Sequence, residues 1–157
     1  MYKLNPINLD NGVIQIHPLG EKELMKNDQV INDLFEILSD NDNTEFIPEK
    51  RVTDNEIISD RMLGITIGYS QQLGYTHFLT LKEPDKIVGI IEILTPKRVE
   101  QDYPIKDKWF IEYYLNKQLW GRGIMSSAVD AVIQNMKAQS VNNIAALCMP
   151  ENIGSTR

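Results

Sequence analysis

The chain has 157 residues, a formal net charge of -6 and a single cysteine, which fits one self-sufficient domain and excludes an internal disulfide framework. Hydrophobic residues at 42% and charged residues at 24% exclude strongly disordered and collagen-like classes. The acidic balance argues against general electrostatic binding to nucleic acid and tilts toward cationic substrates such as amines.

Met1 to Gly12 has neither the basic start nor the apolar stretch of a signal peptide. Val13 to Leu19 alternates and predicts a first strand closed by Pro18 and Gly20. From Glu21 to Leu38, Leu24, Ile31, Leu34, Phe35 and Leu38 recur at helical spacing. Ser39 to Thr44 ends that helix. Thr53 with Glu56 reads as a capping box opening a second helix toward Leu73, whose continuity Gly64 and Gly68 weaken.

Three strands follow: Thr76 to Leu81, Ile87 to Leu94 after a Glu83–Lys86 turn, and Trp109 to Leu115 after a loop over Thr95 to Lys108. Ile87 to Leu94 is apolar on both faces, which places it centrally; broken by Glu92, it is too short to span a bilayer. A helix from Ile124 to Gln139 carries two apolar rows, Ile124-Ala128-Val132 and Met125-Val129-Ile133-Met136, and is well buried. Ile144 to Met149 is a last strand ended by Pro150. No repeat or linker divides the chain, so residues 1–157 read as one domain of α/β (α+β) class with a mixed, mostly antiparallel sheet flanked by helices. Soluble and cytoplasmic is the expected setting.

The segment richest in chemistry is Leu115 to Ile124, where a strand enters a turn with Gly121 and Gly123 and a long helix starts at once. Glycines admit left-handed backbone and close approach of a phosphate. The unpaired first amides of the helix add the positive end of its dipole, an anion site built of backbone. Arg122 and Lys117 are placed to add charge. A turn needing glycine for sterics alone is the other reading; the spacing is neither a dinucleotide fingerprint nor a P-loop.

Gln118-Leu119-Trp120-Gly121-Arg122-Gly123 fits the Gln/Arg-x-x-Gly-x-Gly/Ala motif, and the chain resembles the GNAT superfamily of acetyl-CoA-dependent N-acetyltransferases. Its Trp-Gly-x-Gly form before a buried helix resembles the branch that acetylates ribosomal-protein N-termini. His17-Pro18-Leu19 and Pro150-Glu151-Asn152-Ile153-Gly154-Ser155 resemble that branch's Arg-Pro-Leu and Pro-x-Asn-x-x-Ser segments. Two departures stand out. Ser127-Ala128 replaces a common Glu-Ala pair, and the family normally continues through a helix and further strands beyond the position of Arg157. A chain shortened at its C-terminus is the expectation.

The resemblance implies acetyl-CoA as cosubstrate, its pyrophosphate on the amides of Gln118, Leu119, Trp120, Gly121, Arg122 and Gly123, next to Ile124. Pantetheine would pair with the strand Trp109 to Leu115, beside Tyr113 and Leu115, as an added strand. Asn152 would hold the pantetheine arm, or cap a helix, or both. An amine attacks the thioester directly, main-chain donors stabilise the oxyanion, and the departing thiolate needs a proton.

Glu112 is the first candidate base, on the face shared with Phe110 and Tyr114 and opposite Trp109, Ile111 and Tyr113. A carboxylate at a sheet edge or paired with a lysine is its other reading. Glu92 on the neighbouring strand is a second, more structural carboxylate. Ser155 is the candidate donor near the thiol, although helix-start packing also explains a serine. Trp120 either shelters the cofactor or packs at the helix base. Cys148 reads as a small buried hydrophobe, and His17 and His77 fall in strands without zinc-site spacing.

The expected activity is N-acetyl transfer to a primary amine, a protein N-terminus or a small amine. Acceptor choice would lie with the first two helices and the loop Thr95 to Lys108. A non-catalytic acyl-CoA-binding or regulatory module is the alternative. No nucleic acid, membrane or metal partner is expected, and a homodimer is left open.

Overall fold

The computed structural model describes residues 2–146. Cys148, Pro150, Asn152 and Ser155, and the end of the strand expected over Ile144 to Met149, lie outside them. Among the described residues, six strands form one sheet in chain order. β1 (Leu9–Asp10), β2 (Ile14–Pro18), β3 (Gly74–Leu81), β4 (Lys86–Leu94) and β5 (Trp109–Leu115) pair antiparallel, and β6 (Ile144–Ala145) joins β5 in parallel. This is the mixed, mostly antiparallel sheet expected from hairpin-like spacing. β1 is an addition. The Asn11 side chain accepts the amides of Val13 and Ile14 at 3.0 and 2.8 Å and turns β1 into β2.

Five helices cover the two faces: α1 (Glu21–Met25), α2 (Asn27–Leu38), α3 (Asn55–Ser70), α4 (Pro96–Asp102) and α5 (Ile124–Ala138). Under α5, Ile16, Leu79, Ile91, Ile93 and Ile111 pack with Ala128, Val132 and Met136. On the opposite face Phe78, Ile87 and Ile90 pack with Val30, Leu34 and Ile37 of α2 and Ile58 and Met62 of α3. β4 therefore contributes to both cores, as its continuous apolar run requires.

Four expectations are corrected. The helix over Glu21 to Leu38 breaks at Lys26, and Leu24 is 60% exposed. Glu23 turns inward there to accept the Gly20 amide at 2.8 Å and meet His17 at 3.3 Å, which leaves Leu24 facing out. Asp54, not Thr53, caps α3, accepting the Ile57 amide at 3.1 Å, since a carboxylate also complements the helix dipole. α3 runs unbroken through Gly64 and Gly68. The expected loop Thr95 to Lys108 contains α4, whose Pro96 suits a first turn and whose Val99 is fully buried.

A bulge sets the register of the central strands. Leu79 pairs with Gly89 and Thr80 with Ile87, leaving Val88 as the extra residue. Val88 packs toward α5 beside Ile91, and its carbonyl accepts the Asn116 amide at 2.7 Å. Gly89 lies against β5 so closely that a Cβ would sit 3.0 Å from the Tyr114 carbonyl and 3.1 Å from Leu115 Cδ1. Gly89→Val is expected to destabilise the fold by about 1–3 kcal/mol through overpacking, read as a lower urea midpoint at unchanged m-value.

Candidate active site

β5 sends its chemistry in two directions. The Trp109 amide donates away from β4, to the Asn143 carbonyl at 2.8 Å, whereas the Asn116 amide donates to β4. Hydrogen bonding alternates along an antiparallel strand. Phe110, Glu112 and Tyr114 therefore bond toward β4, and Ile111, Tyr113 and Leu115 direct their main-chain groups to the other edge. Within the described residues β6 meets that edge at Trp109 and Phe110.

The strand leads into a braced loop. Asn116, buried, accepts the Gln118 amide at 3.1 Å and donates to Glu36 of α2 at 3.0 Å. A 3-10 turn over Lys117–Leu119 follows. Trp120 donates its indole N–H to the Leu115 carbonyl at 2.8 Å, yet the residue is 51% exposed. The indole braces the loop with its N–H instead of packing at the helix base. Gly121 and Gly123 take φ of 75° and 72°, the left-handed region, and Gly123 occupies the N-cap of α5. No side chain caps that helix and its first turn holds no acidic residue. The first-turn amides of residues 124–126 thus lack intrahelical acceptors beside a turn open to an anion. Of the two cations expected to add charge, Lys117 is engaged elsewhere, by Asp40 at 2.8 Å and Asp42 at 3.1 Å. Arg122 is exposed and makes no ion pair among the described residues.

On the α2–α3 face, Glu112 stands directly opposite Glu92 on β4. Lys50, in the 3-10 turn Pro48–Lys50, lies 3.2 Å from Glu92 and 3.7 Å from Glu112. The lysine-paired reading of Glu112 is therefore met, without removing it from the site. Burial pushes the Glu112 carboxyl above the ordinary glutamate range; Lys50 pulls it down, but Glu92 adds to the rise. Burial alone would lower Lys50, yet the two carboxylates hold its ammonium above the usual lysine value. Burial raises the Tyr114 phenol well above its usual value, and the Glu92 charge reinforces this. Arg61 of α3 donates to the main-chain carbonyls of Lys50 and Glu49, fastening the turn.

Glu92, Lys50, Arg61 and Tyr114 border a cavity of about 510 Å³ between α2, α3 and the sheet, and Glu112 stands beside Glu92 just outside its lining. Leu34, Ile58, Met62, Phe78 and Ile90 supply apolar wall, with Glu92, Lys50, Arg61 and Tyr114 among the polar lining. Arg98 of α4 lines it too, so the segment expected as the loop Thr95 to Lys108 does reach this chamber. Lys50, Arg61 and Asn116 escaped the sequence reading. Lys50 and Asn116 act through partners distant in sequence, 42 positions for Lys50 and Glu92 and 80 for Asn116 and Glu36, and Arg61 through main-chain carbonyls that carry no sequence signal.

The remaining candidates separate by burial. His77 is held down to about 4, mainly by burial, and accepts the Ile7 amide at 3.2 Å, a neutral structural imidazole. His17 contacts Thr80 at 2.6 Å and Glu23 at 3.3 Å. Among the described residues no His, Cys, Asp and Glu group could hold a metal ion. Asn152 and Ser155 lie outside the described residues. No helix among them is long and apolar enough to cross a membrane.

A family model described as acetyltransferase (GNAT) domain matches residues 24–157. The structure is similar to that of a ribosomal-protein-S5-alanine acetyltransferase from Vibrio fischeri, at 21% identity and a TM-score of 0.68, covering 96% of this chain and 78% of that one. It is also similar to a Salmonella typhimurium acetyltransferase described as modifying the N-terminal serine of ribosomal protein L7/L12, at 14% identity and a TM-score of 0.68, covering 93% and 77%. A third neighbour, the microcin C7 self-immunity acetyltransferase MccE in complex with acetyl-CoA and AMP, has 17% identity and a TM-score of 0.71, covering 93% and 75%. No curated protein sequence matches the chain.

The carboxylate cluster is testable by NMR titration of the side-chain carboxyl carbons. Glu112 is expected to titrate above the ordinary glutamate range, and Lys50→Met to raise its midpoint further by removing the attracting charge. A midpoint at or below the ordinary range would contradict the described environment.

Proposed function

The chain belongs to the GNAT acetyltransferase family, and from that premise we propose that it transfers an acetyl group from acetyl-CoA to a primary amine. Residues 1–157 act in this reading as one acetyltransferase domain. The observation that carries it is the juxtaposition of the left-handed Gly121–Gly123 turn at an uncapped helix start with a half-buried, raised carboxyl on the adjoining strand.

The residues fit the cosubstrate. Pyrophosphate oxygens would be received by the main-chain amides of Gly121 through Ile124, with Arg122 supplying charge; the amides of Gln118, Leu119 and Trp120 are engaged by Asn116 and Lys117, so these three residues shape the loop. The edge of β5 at Tyr113 and Leu115 suits an extended, amide-bearing arm. Binding of acetyl-CoA by a fold neighbour supports this assignment.

On the other face of β5, a protonated amine gives its proton to the Glu112 carboxylate. Its nitrogen then forms the bond to the thioester carbon while the carbon–sulfur bond breaks, and the second proton, which the nitrogen loses as it becomes an amide, passes through a hydroxyl to the departing thiolate. Ser155 is the proposed donor for that last step, and Asn152 the proposed holder of the pantetheine arm. A carboxyl raised above the ordinary glutamate range, chiefly by burial, makes Glu112 a better proton acceptor for an amine than an ordinary surface carboxylate. A protein N-terminus is the first acceptor to try, on the strength of ribosomal-protein acetyltransferases among the fold neighbours. Cytoplasmic action suits such an acceptor.

Two substitutions test the halves separately. Gly121→Glu places a carboxylate at a left-handed position with open space around it. It is expected to weaken acetyl-CoA at least tenfold, roughly 1.4 kcal/mol, by calorimetric titration of a protein that still unfolds cooperatively. Unchanged affinity would sink the loop assignment. Glu112→Gln is expected to leave that affinity in place and lower kcat by roughly a hundredfold. The wild-type rate should fall on the acid side through a pKa above the ordinary glutamate range, a limb the variant lacks. Acetyl-CoA binding without thiol release for any amine would favour a non-catalytic acyl-CoA-binding module.

A further inference from the structure

We propose that the acceptor is a primary ammonium carried on a bulky apolar group, and that it enters by taking the place of the Lys50 ammonium between Glu92 and Glu112. This rests on the amine-acetylation reading above and adds to it the class of acceptor and a residue that selects it.

The first observation is the chamber. At about 510 Å³ it falls within the range of small-ligand sites. Leu34, Ile58, Met62, Phe78 and Ile90 form apolar wall from both helices and from the sheet. Against that part of the wall, away from Arg61, Arg98 and Tyr114 of the polar lining, a hydroxyl or carboxylate on the acceptor would lose its hydration without gaining a partner, whereas an aryl or branched alkyl group gains by burial.

The second observation is the cation already in place. Glu92 lines this chamber, and Lys50 holds it at 3.2 Å while reaching Glu112 at 3.7 Å. Like charges directly opposite on neighbouring strands repel, so a positive charge between Glu92 and Glu112 is favoured whether or not substrate is bound. Lys50 supplies it from the 3-10 turn between α2 and α3, with its ammonium at the end of a flexible stem. An entering ammonium offers the carboxylates the same charge and delivers its nitrogen beside Glu112. The released Lys50 side chain, already part-exposed, passes into water. Lys50 is thus a specificity residue and not the base: neutral or anionic acceptors cannot replace it.

The test uses acetyl-CoA with 2-phenylethylamine, a peptide beginning with Leu, a peptide beginning with Ser, and ethanolamine. Each amine is also titrated alone against the Met62 methyl resonance, so the chamber is read independently of turnover. The apolar amine and the Leu peptide are expected to perturb Met62 saturably and to show KM values at least tenfold below those of their polar counterparts, within the gain from burying an apolar side chain.

Lys50→Met removes the resident competitor and is expected to lower KM for 2-phenylethylamine several-fold, because occupancy by the lysine taxes apparent affinity. Gly64→Leu adds a side chain at a chamber-lining position where a Cβ meets nothing within 4 Å, and is expected to raise that KM. This second variant keeps the test decisive if Lys50→Met folds poorly. Equal KM values for polar and apolar amines, an unmoved Met62 signal, or a higher KM in Lys50→Met would overturn the proposal. Failure of acetyl-CoA to bind while the amines still fill the chamber would instead overturn the acetyl-transfer reading. Preference between the Leu peptide and 2-phenylethylamine separates a protein N-terminus from a small amine as the source.

Discussion

The register of β4 against β5 is the constraint on which the site depends. It places Glu92 and Glu112 side by side, an arrangement in which two charged carboxylates repel and a cation between them is stabilising. Lys50 is that cation. Because Arg61 of α3 also grips the main chain of Glu49 and Lys50, the charge pairing at the sheet fastens the segment between α2 and α3 over its face. A one-residue slip of β5 would send Glu112 into the core beneath α5 and bring Tyr113 in its place. The close approach of Gly89 to Tyr114 and Leu115 opposes such a slip, since a residue with a Cβ brought to that position would clash.

β5 serves two sites through the two periodicities of a strand. Its side chains alternate between the α5 core and the α2–α3 chamber, and its main-chain groups alternate between β4 and the opposite edge. Under the proposed function, the cosubstrate occupies the edge and the acceptor occupies the chamber, with the reacting atoms meeting at one strand. The glycine turn at the end of β5 is locked to α2 through Asn116 and Glu36 and through Lys117 and the Asp40–Asp42 corner. The same helix that walls the chamber thereby braces the phosphate loop, so acceptor packing and cofactor geometry share a support.

Much of this was legible in the sequence because it is local. The bounds of β5, the start of α5 at Ile124 and the double-sided burial of β4 all follow from short-range pattern. So does the face of Glu112, which strict alternation decides. What was not legible depends on chain distant in sequence. Leu24 fits the helical stripe by spacing, yet faces out because Glu23 is drawn to Gly20 and His17. Lys117 looks like a phosphate ligand beside two glycines until Asp40 and Asp42 fold against it. Lys50 sits in a polar stretch with no periodic signal, and its role exists only once two strands bring their carboxylates together. The alternation that places Glu112 is silent about the charge that makes it a usable base.

The most direct test of the account is an amide-resolved NMR titration of the protein with acetyl-CoA. The amides of Tyr113 and of residues 118–124 are predicted to shift together and saturate at one equivalent, with Gly121 and Gly123 among the largest changes. Shifts confined to the chamber between α2 and α3, or none along the strand-to-helix turn, would contradict the assignment of that turn as the cosubstrate site.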